Sequence, residues 1–216
     1  MSNKNKLLTF ITACGRPDLL AQTLDSLLSN QQRELMFVIH EDSTDLNLCK
    51  ESRDICKKYP SVIIQHIRTN GIGQHASIEK FLKYKFTDKY YLHCEEDWLF
   101  QNYYDWITES IILMEEDQRI IKTLARIDRE HPTAFDKWLG KDNAKFGYLE
   151  PWVNDNIKWH GFSWNPGITR LDYIKNIPPF DRWEQEVSQK IYNEGYKTIQ
   201  LSESVYEHIG NGRSTH

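Results

Sequence analysis

The first hundred residues alternate between two periodicities, and this limits the fold more than any other feature. Leu7 to Thr12 is an apolar, β-prone run bounded by "ACGRPD". Pro17 then opens a helical stretch, "DLLAQTLDSLL", with Asp18 in its first turn. "LMFVIH" is a second such run and leads through "EDSTD" into "DLNLCKESRDICKKY", a helix with Leu48, Ile55 and Tyr59 on roughly one face. "SVIIQHI" is the third strand, "RTNGIG" a turn, "HASIEKFLKYKF" a helix and "KYYLHC" the fourth strand. Apolar runs closed by turn residues predict buried strands. Strands alternating with helices predict an α/β fold, a mainly parallel central sheet flanked by helices.

Ligands of such sheets bind beyond the carboxyl ends of the strands. Here every predicted strand ends in polar or small residues: "TACGR", "HEDSTD", "RTNG" and "CEED". These four tips are expected to face one crevice. The fourth carries three consecutive carboxylates, Glu95, Glu96 and Asp97, and returns at once to Trp98, Leu99 and Phe100. One reading is a solvated strand end. The other is a seat for a hard divalent cation, which takes carboxylate oxygens and shares its shell with phosphates. Strand alternation would put Glu95 and Asp97 on one face and turn Glu96 away.

The second half is less regular. "YYDWITESIILMEEDQ" is amphipathic and helical, and "IIKTLARIDRE" starts as a strand. Residues 131 to 167 mix Pro, Gly, Trp and Asn and read as loops and short strands. From Asp181, "DRWEQEVSQKIYNEG" is a helix with Gly195 as its C-cap, followed by the strand "KTIQLSES" and a tail containing "YEHIGNG". With 216 residues and no interdomain linker, the chain reads as one unit. Its regular half is residues 1–100 and its less regular half residues 101–216.

Net charge is -4, which disfavours non-specific nucleic-acid binding, so a substrate phosphate would need local basic residues or a metal ion. Arg16 and Arg68, each after a strand, could pair with one. Seven Trp and eleven Tyr exceed what a core of this size needs and suggest platforms for a ring-shaped ligand, or else an aromatic core. The four Cys show no CxxC or zinc spacing, so reduced thiols and a cytoplasmic location are expected. No run approaches a membrane span, which leaves at most a peripheral membrane contact.

His208, between a strand and glycines, is a surface histidine or a ligand to an Mn²⁺-type ion. Glu184 and Glu186 are either favourable charges at a helix N-terminus or include a general base. Trp183 beside them is a stacking wall or a core residue. "RTNGIGQH" is a strand-to-helix turn or a loose phosphate loop.

Taken together and in order, these segments resemble a nucleotide-sugar-dependent glycosyltransferase of the GT-A fold, closest to glycosyltransferase family 2. "ITACGRPDLLAQTLDSLL" is similar to that family's opening around base and ribose, which implies nucleotide contacts from Thr12 and Arg16. "HEDSTD" stands where the family has an acidic pair before Gly-Ser-Thr. This chain lacks the Gly, and Glu41 or Asp42 would meet the base. "RTNGIGQHASIEK" resembles the family's Asn-x-Gly segment, which implicates Arg68, Asn70 and Gly71. "CEED" stands at the place of the DxD motif with Glu first. The resemblance therefore makes Asp97 the metal ligand, completed by His208, with Glu95 and Glu96 on the nucleotide side. "RWEQEVSQKIYNEGYK" resembles the family's "ED…L…R…GYK" helix and puts Glu184 at the catalytic position. "HGFSWNPGITR" stands at the acceptor and sugar wall, with Gly161, Phe162, Trp164 and Trp183.

The resemblance implies an Mn²⁺- or Mg²⁺-dependent inverting transfer from a nucleoside-diphosphate sugar, UDP favoured, to a hydroxyl of a glycan or other acceptor. Glu184 would be the base, with Glu186 and Asp181 next in line. Two other readings stand beside it: a sugar nucleotidyltransferase, and a non-catalytic glycan-binding module on the same fold.

Overall fold

A computed structural model describes residues 6–30, 33–101, 105–125, 138–142, 147–151, 160–177, 184–201, 205–210 and 212–213. The strands are β1 (Lys6–Ala13), β2 (Glu34–Glu41), β3 (Ile63–Arg68), β4 (Tyr90–Glu95), β5 (Trp98–Phe100), β6 (Ile120–Leu124), β7 (Trp138–Asp142), β8 (Gly147–Pro151), β9 (Gly167–Arg170), β10 (Lys197–Leu201) and β11 (Tyr206–His208). The helices are α1 (Pro17–Asn30), α2 (Leu46–Cys56), α3 (Gln74–Leu82), α4 (Trp106–Glu116), α5 (Leu171–Ile174) and α6 (Glu184–Asn193).

Among the described residues nine strands form one sheet in the order β3-β2-β1-β4-β9-β6-β10-β8-β7. β3, β2, β1 and β4 run parallel, joined by α1, α2 and α3 as the sequence predicts. The chain winds outwards from β1 to β3 and then returns to the other side of β1. The reversal opens a crevice at the carboxyl ends of β1 and β4.

Two apolar layers sandwich the sheet. Leu7, Ile11, Phe37, Ile39, Leu92 and Cys94 pack against α1 and α4 on one face. Leu8, Phe10, Val38 and Tyr91 pack against α3, α5 and α6 on the other. The buried face of α2 is Cys49, Ser52 and Cys56, while Leu48, Ile55 and Tyr59 flank it half-buried. At the centre of that face Ser52 Oγ bonds His66 Nε2 of β3 (3.1 Å). Asp45 caps α2, accepting from the Asn47 and Leu48 amides.

Three features of the second half differ from a purely parallel sheet. β9 lies antiparallel between β4 and β6. At Gly167 a Cβ would fall 2.2 Å from the Thr123 carbonyl oxygen, so β9 can close on β6 only with glycine there. β8 is antiparallel to β10 and β7 to β8. β5 and β11 form a separate two-stranded ribbon, with His208 opposite Trp98. Gly195 has φ +79° and lies just past α6, as expected of a helix stop. No helix among the described residues is long and apolar enough to cross a membrane.

Candidate active site

A crevice of about 300 Å³ opens at the reversal point. Its walls come from the ends of β1 (Thr12 to Cys14), β2 (Asp42) and β4 (Glu95 to Asp97), with Arg16, Gln74, Asn165, His208 and Gly210 around them. All three carboxylates of the acidic run therefore line it. β4 ends at Glu95, and Glu96–Asp97 form a turn, so strand alternation stops before it can direct Glu96 away.

Each acid has a distinct setting. The half-buried Glu95 accepts from the Gln74 amide (2.7 Å) and the Trp98 indole (2.7 Å). Its carboxyl is pushed up to about 7, first by withdrawal from water and then by the Asp97 charge. Glu96 is buried and accepts at one oxygen from the Cys14 amide (2.8 Å) and from Arg16 Nε (2.8 Å). Burial raises its carboxyl, opposed by Arg16. Asp97 Oδ2 lies 2.8 Å from Arg16 Nη1 and 3.1 Å from His208 Nε2.

The chain brings these groups together through local bonds. Thr23 Oγ1 donates to the Glu96 carbonyl (2.6 Å) and accepts from the Trp98 amide (3.2 Å), tying the turn to α1. Trp98 is buried, and its ring lies 4.7 Å from the His208 ring. The Ile209 amide donates to the Asp97 carbonyl (2.9 Å). At Gly210 a Cβ would fall 2.2 Å from Asp97 Oδ2, so the bare backbone of Gly210 cradles the carboxylate.

Glu41 and Asp42 are separated by the structure. Glu41 is fully buried and accepts from the Gly15 and Ser43 amides (2.9 and 3.0 Å), linking the β1 and β2 tips. Asp42 is the one that lines the crevice. It also accepts from Thr69 Oγ1 (2.5 Å) and from the Ile72 and Gly73 amides (2.9 and 2.7 Å), which pins the third tip. Arg68, Asn70 and Gly71 lie in that pinned tip, outside the crevice lining. Arg68 donates to the Thr44 carbonyl and to Asn70, and Gly71 to the Asp42 carbonyl. Asn70 and Gly71 both have positive φ, +67° and +76°.

Glu184 opens α6, half-buried, and Oε1 accepts from the Trp164 amide (2.5 Å) and Ser163 Oγ (3.1 Å). Ser163 Oγ also accepts from the Asn165 amide (3.1 Å), so Glu184 stands one hydrogen-bond relay behind the crevice wall. Buried Ser188 of α6 accepts from the His160 and Phe162 amides and docks this segment on the helix. Gly161, Phe162 and Trp164 are buried, and the two rings belong to the core layer against α6. Asn165 is the residue of that segment that reaches the crevice. Glu186 is exposed; Asp181 and Trp183 lie outside the described residues.

Gln74, Ser77, Asn165 and Gly210 also line the crevice; they lie in the quoted segments but are not among the sequence-predicted site residues. Ser77 Oγ bonds His40 Nδ1 (2.8 Å), and burial brings that imidazole down to about 4, so it is neutral.

Among the described residues no three His, Cys, Asp or Glu side chains gather into a group that could hold a metal ion. Asp97 and His208 are the adjoining pair of suitable donors. That pair fits an ion whose other positions are filled by phosphate oxygens and water, provided Arg16 gives up its bond to Oδ2.

No protein-family model matches the chain, and no curated protein matches its sequence. Solved structures do match its shape. Residues 1–349 of S. aureus TarS, in complex with UDP-GlcNAc, align at 17% identity and a TM-score of 0.62, covering 97% of this chain and 62% of that one. The mannosyltransferase PcManGT from Pyrobaculum calidifontis, in complex with GDP-Man and Mn²⁺, aligns at 12% identity and a TM-score of 0.64, covering 96% and 58%. The 4-diphosphocytidyl-2C-methyl-D-erythritol synthase of Anaerococcus prevotii aligns at 12% identity and a TM-score of 0.54, covering 92% and 88%. The chain thus spans about three fifths of the length of the first two. At these identities the likeness is one of fold, and it is specific: the chain has the GT-A fold, a mainly parallel α/β sheet flanked by helices.

Proposed function

We propose that this chain is a glycosyltransferase that moves a sugar from a nucleoside-diphosphate sugar to an acceptor hydroxyl with inversion, residues 1–100 holding the nucleotide and 101–216 the acceptor. The observation that carries this reading is the crevice at the β1/β4 reversal. Arg16, Asp97 and His208 meet in its lining, and Glu184 is linked through Ser163 to Asn165 of the same lining. The nucleotide complexes of TarS and PcManGT support a nucleotide-sugar donor, with UDP favoured here.

Transfer leaves negative charge on the departing diphosphate. Bare carboxylates would repel it, so the acidic floor needs positive charge beside it. Arg16 supplies a guanidinium suited to bidentate phosphate contact. Asp97 and His208 would hold Mn²⁺ or Mg²⁺, which when bound acts as a Lewis acid towards the diphosphate. Asp42, Thr12 and Gln74, which line the crevice, would contact the nucleotide. Glu184 takes the proton of the attacking hydroxyl while the Trp164 amide and Ser163 hydroxyl hold one of its oxygens in place. A single displacement inverts the anomeric carbon. The acceptor is a glycan or another hydroxyl compound, and the proposed setting is cytoplasmic.

Calorimetric titration with UDP, GDP and dTDP, each with and without Mn²⁺, tests the donor site. Metal-dependent binding of one of them is expected. A folded chain that binds none of them overturns the reading and leaves a binding module. The structural likeness to the erythritol synthase keeps a nucleotidyltransferase as second reading. Formation of a nucleoside triphosphate from a nucleotide sugar and pyrophosphate would favour it.

A further inference from the structure

Lys122 takes no part in lining the crevice, yet it is fully buried near the middle of the sheet. Among the described residues its Nζ has no hydrogen-bond partner. It lies 5.3 Å from the centre of the Phe162 ring and 5.6 Å from that of Trp164. A methionine would fill similar volume without the penalty of a buried charge, so packing alone does not account for an amine here.

The local backbone aims it there. β6 carries a register shift against β10: Lys197 is opposite Ile120 and Thr198 opposite Lys122, which makes Ile121 an extra residue. Ile120 packs in one core layer and Ile121 in the other. Strict alternation would return Lys122 to the first layer. After the bulge it stays on the second, against Phe162 and Trp164. Gly167 leaves the room, because a Cβ there would lie 3.3 Å from Lys122 Cε.

The rings that Lys122 touches belong to the segment that anchors Glu184 through the Trp164 amide and Ser163 hydroxyl. Three titratable groups face the amine: Glu184 from α6, and Glu95 and His93 from β4. Both carboxylates favour its charged form, while burial outweighs them and brings it down to about 7. His93 Nδ1 donates to the Trp164 carbonyl (2.8 Å), and the ring is held neutral, at about 3, by burial and by Lys122.

We propose that Lys122 is a positioning residue for Glu184: its ammonium group fixes the Phe162–Asn165 segment through the two rings and gives the Glu184 carboxylate a buried positive counter-charge. The proposal rests on Glu184 being the base of the proposed transfer.

The test uses the full chain and its Lys122→Met, Lys122→Gln and Glu184→Gln variants. Release of UDP from UDP-GlcNAc and of GDP from GDP-mannose with Mn²⁺ is followed across pH, beside nucleotide affinity and melting. Lysine ¹³Cε resonances are titrated in the wild-type and Glu184→Gln chains. Lys122→Met should fold, melt no lower than wild type and bind nucleotide normally. Its turnover should fall on the order of 10²-fold, as for a misplaced catalytic group. Wild-type turnover should decline as pH rises through about 7, and this limb should be absent in Lys122→Met. The Lys122 resonance should titrate lower in Glu184→Gln. Wild-type turnover in Glu184→Gln would overturn the base itself. An inactive Glu184→Gln beside a Lys122→Met of wild-type rate and pH profile would overturn only the present inference. If neither donor is turned over, an unmoved Lys122 titration in Glu184→Gln overturns it. If neither Lys122 variant folds, the amine is a structural requirement, and the inference fails.

Discussion

Arg16 and Asp97 are ion-paired across the floor of the crevice, Nη1 to Oδ2 at 2.8 Å, while Arg16 Nε holds Glu96 at the same distance. One guanidinium thus balances two acids in the place where a diphosphate and its cation would arrive. Desolvation lowers the tendency of Arg16 to stay charged, but Glu96 and Asp97 outweigh it and its pKa is raised. On the proposed function, donor binding would exchange partners, with the guanidinium passing from carboxylate to phosphate.

Removing that guanidinium leaves a buried Glu96 without its counter-charge. Arg16→Ala should lose about 3 kcal/mol of stability, read from urea denaturation. Mn²⁺ should restore more melting temperature to this variant than to wild type, since Asp97 Oδ2 is then free for the ion. Equal Mn²⁺ shifts in both chains would show that the ion does not compete with Arg16.

Gly210 leaves no space for a methyl group beside Asp97 Oδ2. Gly210→Ala should push the carboxylate away from Arg16 and His208 while the core layers stay intact. Metal-dependent nucleotide affinity should fall at least about tenfold, the worth of one charged hydrogen bond. Calorimetry checks the affinity, and near-ultraviolet circular dichroism checks the core.

Glu184→Gln keeps the shape and the Trp164 and Ser163 contacts but cannot take a proton. Turnover should drop on the order of 10²–10⁴-fold with nucleotide affinity unchanged. Near-normal turnover would transfer the role to Glu186 or Asp181.

Burial holds the Lys122 amine at about 7 against an ordinary value of 10.5. Between those values the unfolded chain binds a proton that the folded chain has released, so stability rises with pH in this window. The slope should be about 1.4 kcal/mol per pH unit. It is best read as the difference in slope between wild type and Lys122→Met from pH 7 to 9, because the raised thiols of buried Cys56 and Cys94 and the raised Glu95 carboxyl contribute to both chains. The Lys122→Met urea midpoint should lack this added rise and be higher at pH 7. Equal slopes in the two chains would contradict the burial of the amine.

The sequence reading was strongest where a residue's environment is local. β1, β2 and β4 carry continuous apolar runs because both faces of an inner parallel strand are covered, whereas β3, at the sheet edge, is only partly buried. The acidic run, Arg16 and His208 stand out as charged or ionisable groups at the tips of apolar strands, and the fold brings them to one crevice. β9 does not stand out: "GITR" has a glycine, an arginine and only four residues, and it is a strand because β4 and β6 offer it hydrogen bonds on both sides. Leu48, Ile55 and Tyr59 are half-buried, in keeping with their helical spacing, but the fully buried Cys49, Ser52 and Cys56 beside them carry little hydrophobic signal. Asn165, Gln74 and Ser77 are ordinary polar residues until the fold assembles them. Lys122 did leave a trace, a single cation inside the apolar run "IIKTL".

β9 also bears on the order in which the chain can fold. β4 is complete at residue 95, but the strand that covers its outer edge begins at residue 167. During synthesis the amino-terminal half therefore waits with an unpaired edge until more than seventy further residues have been made, on the order of several seconds at typical rates. The long loop that must close makes this pairing a slow, non-local step. A chain truncated before β9 would present the β4 edge to other chains and self-associate. Truncation before residue 165 would remove the wall residue Asn165 as well.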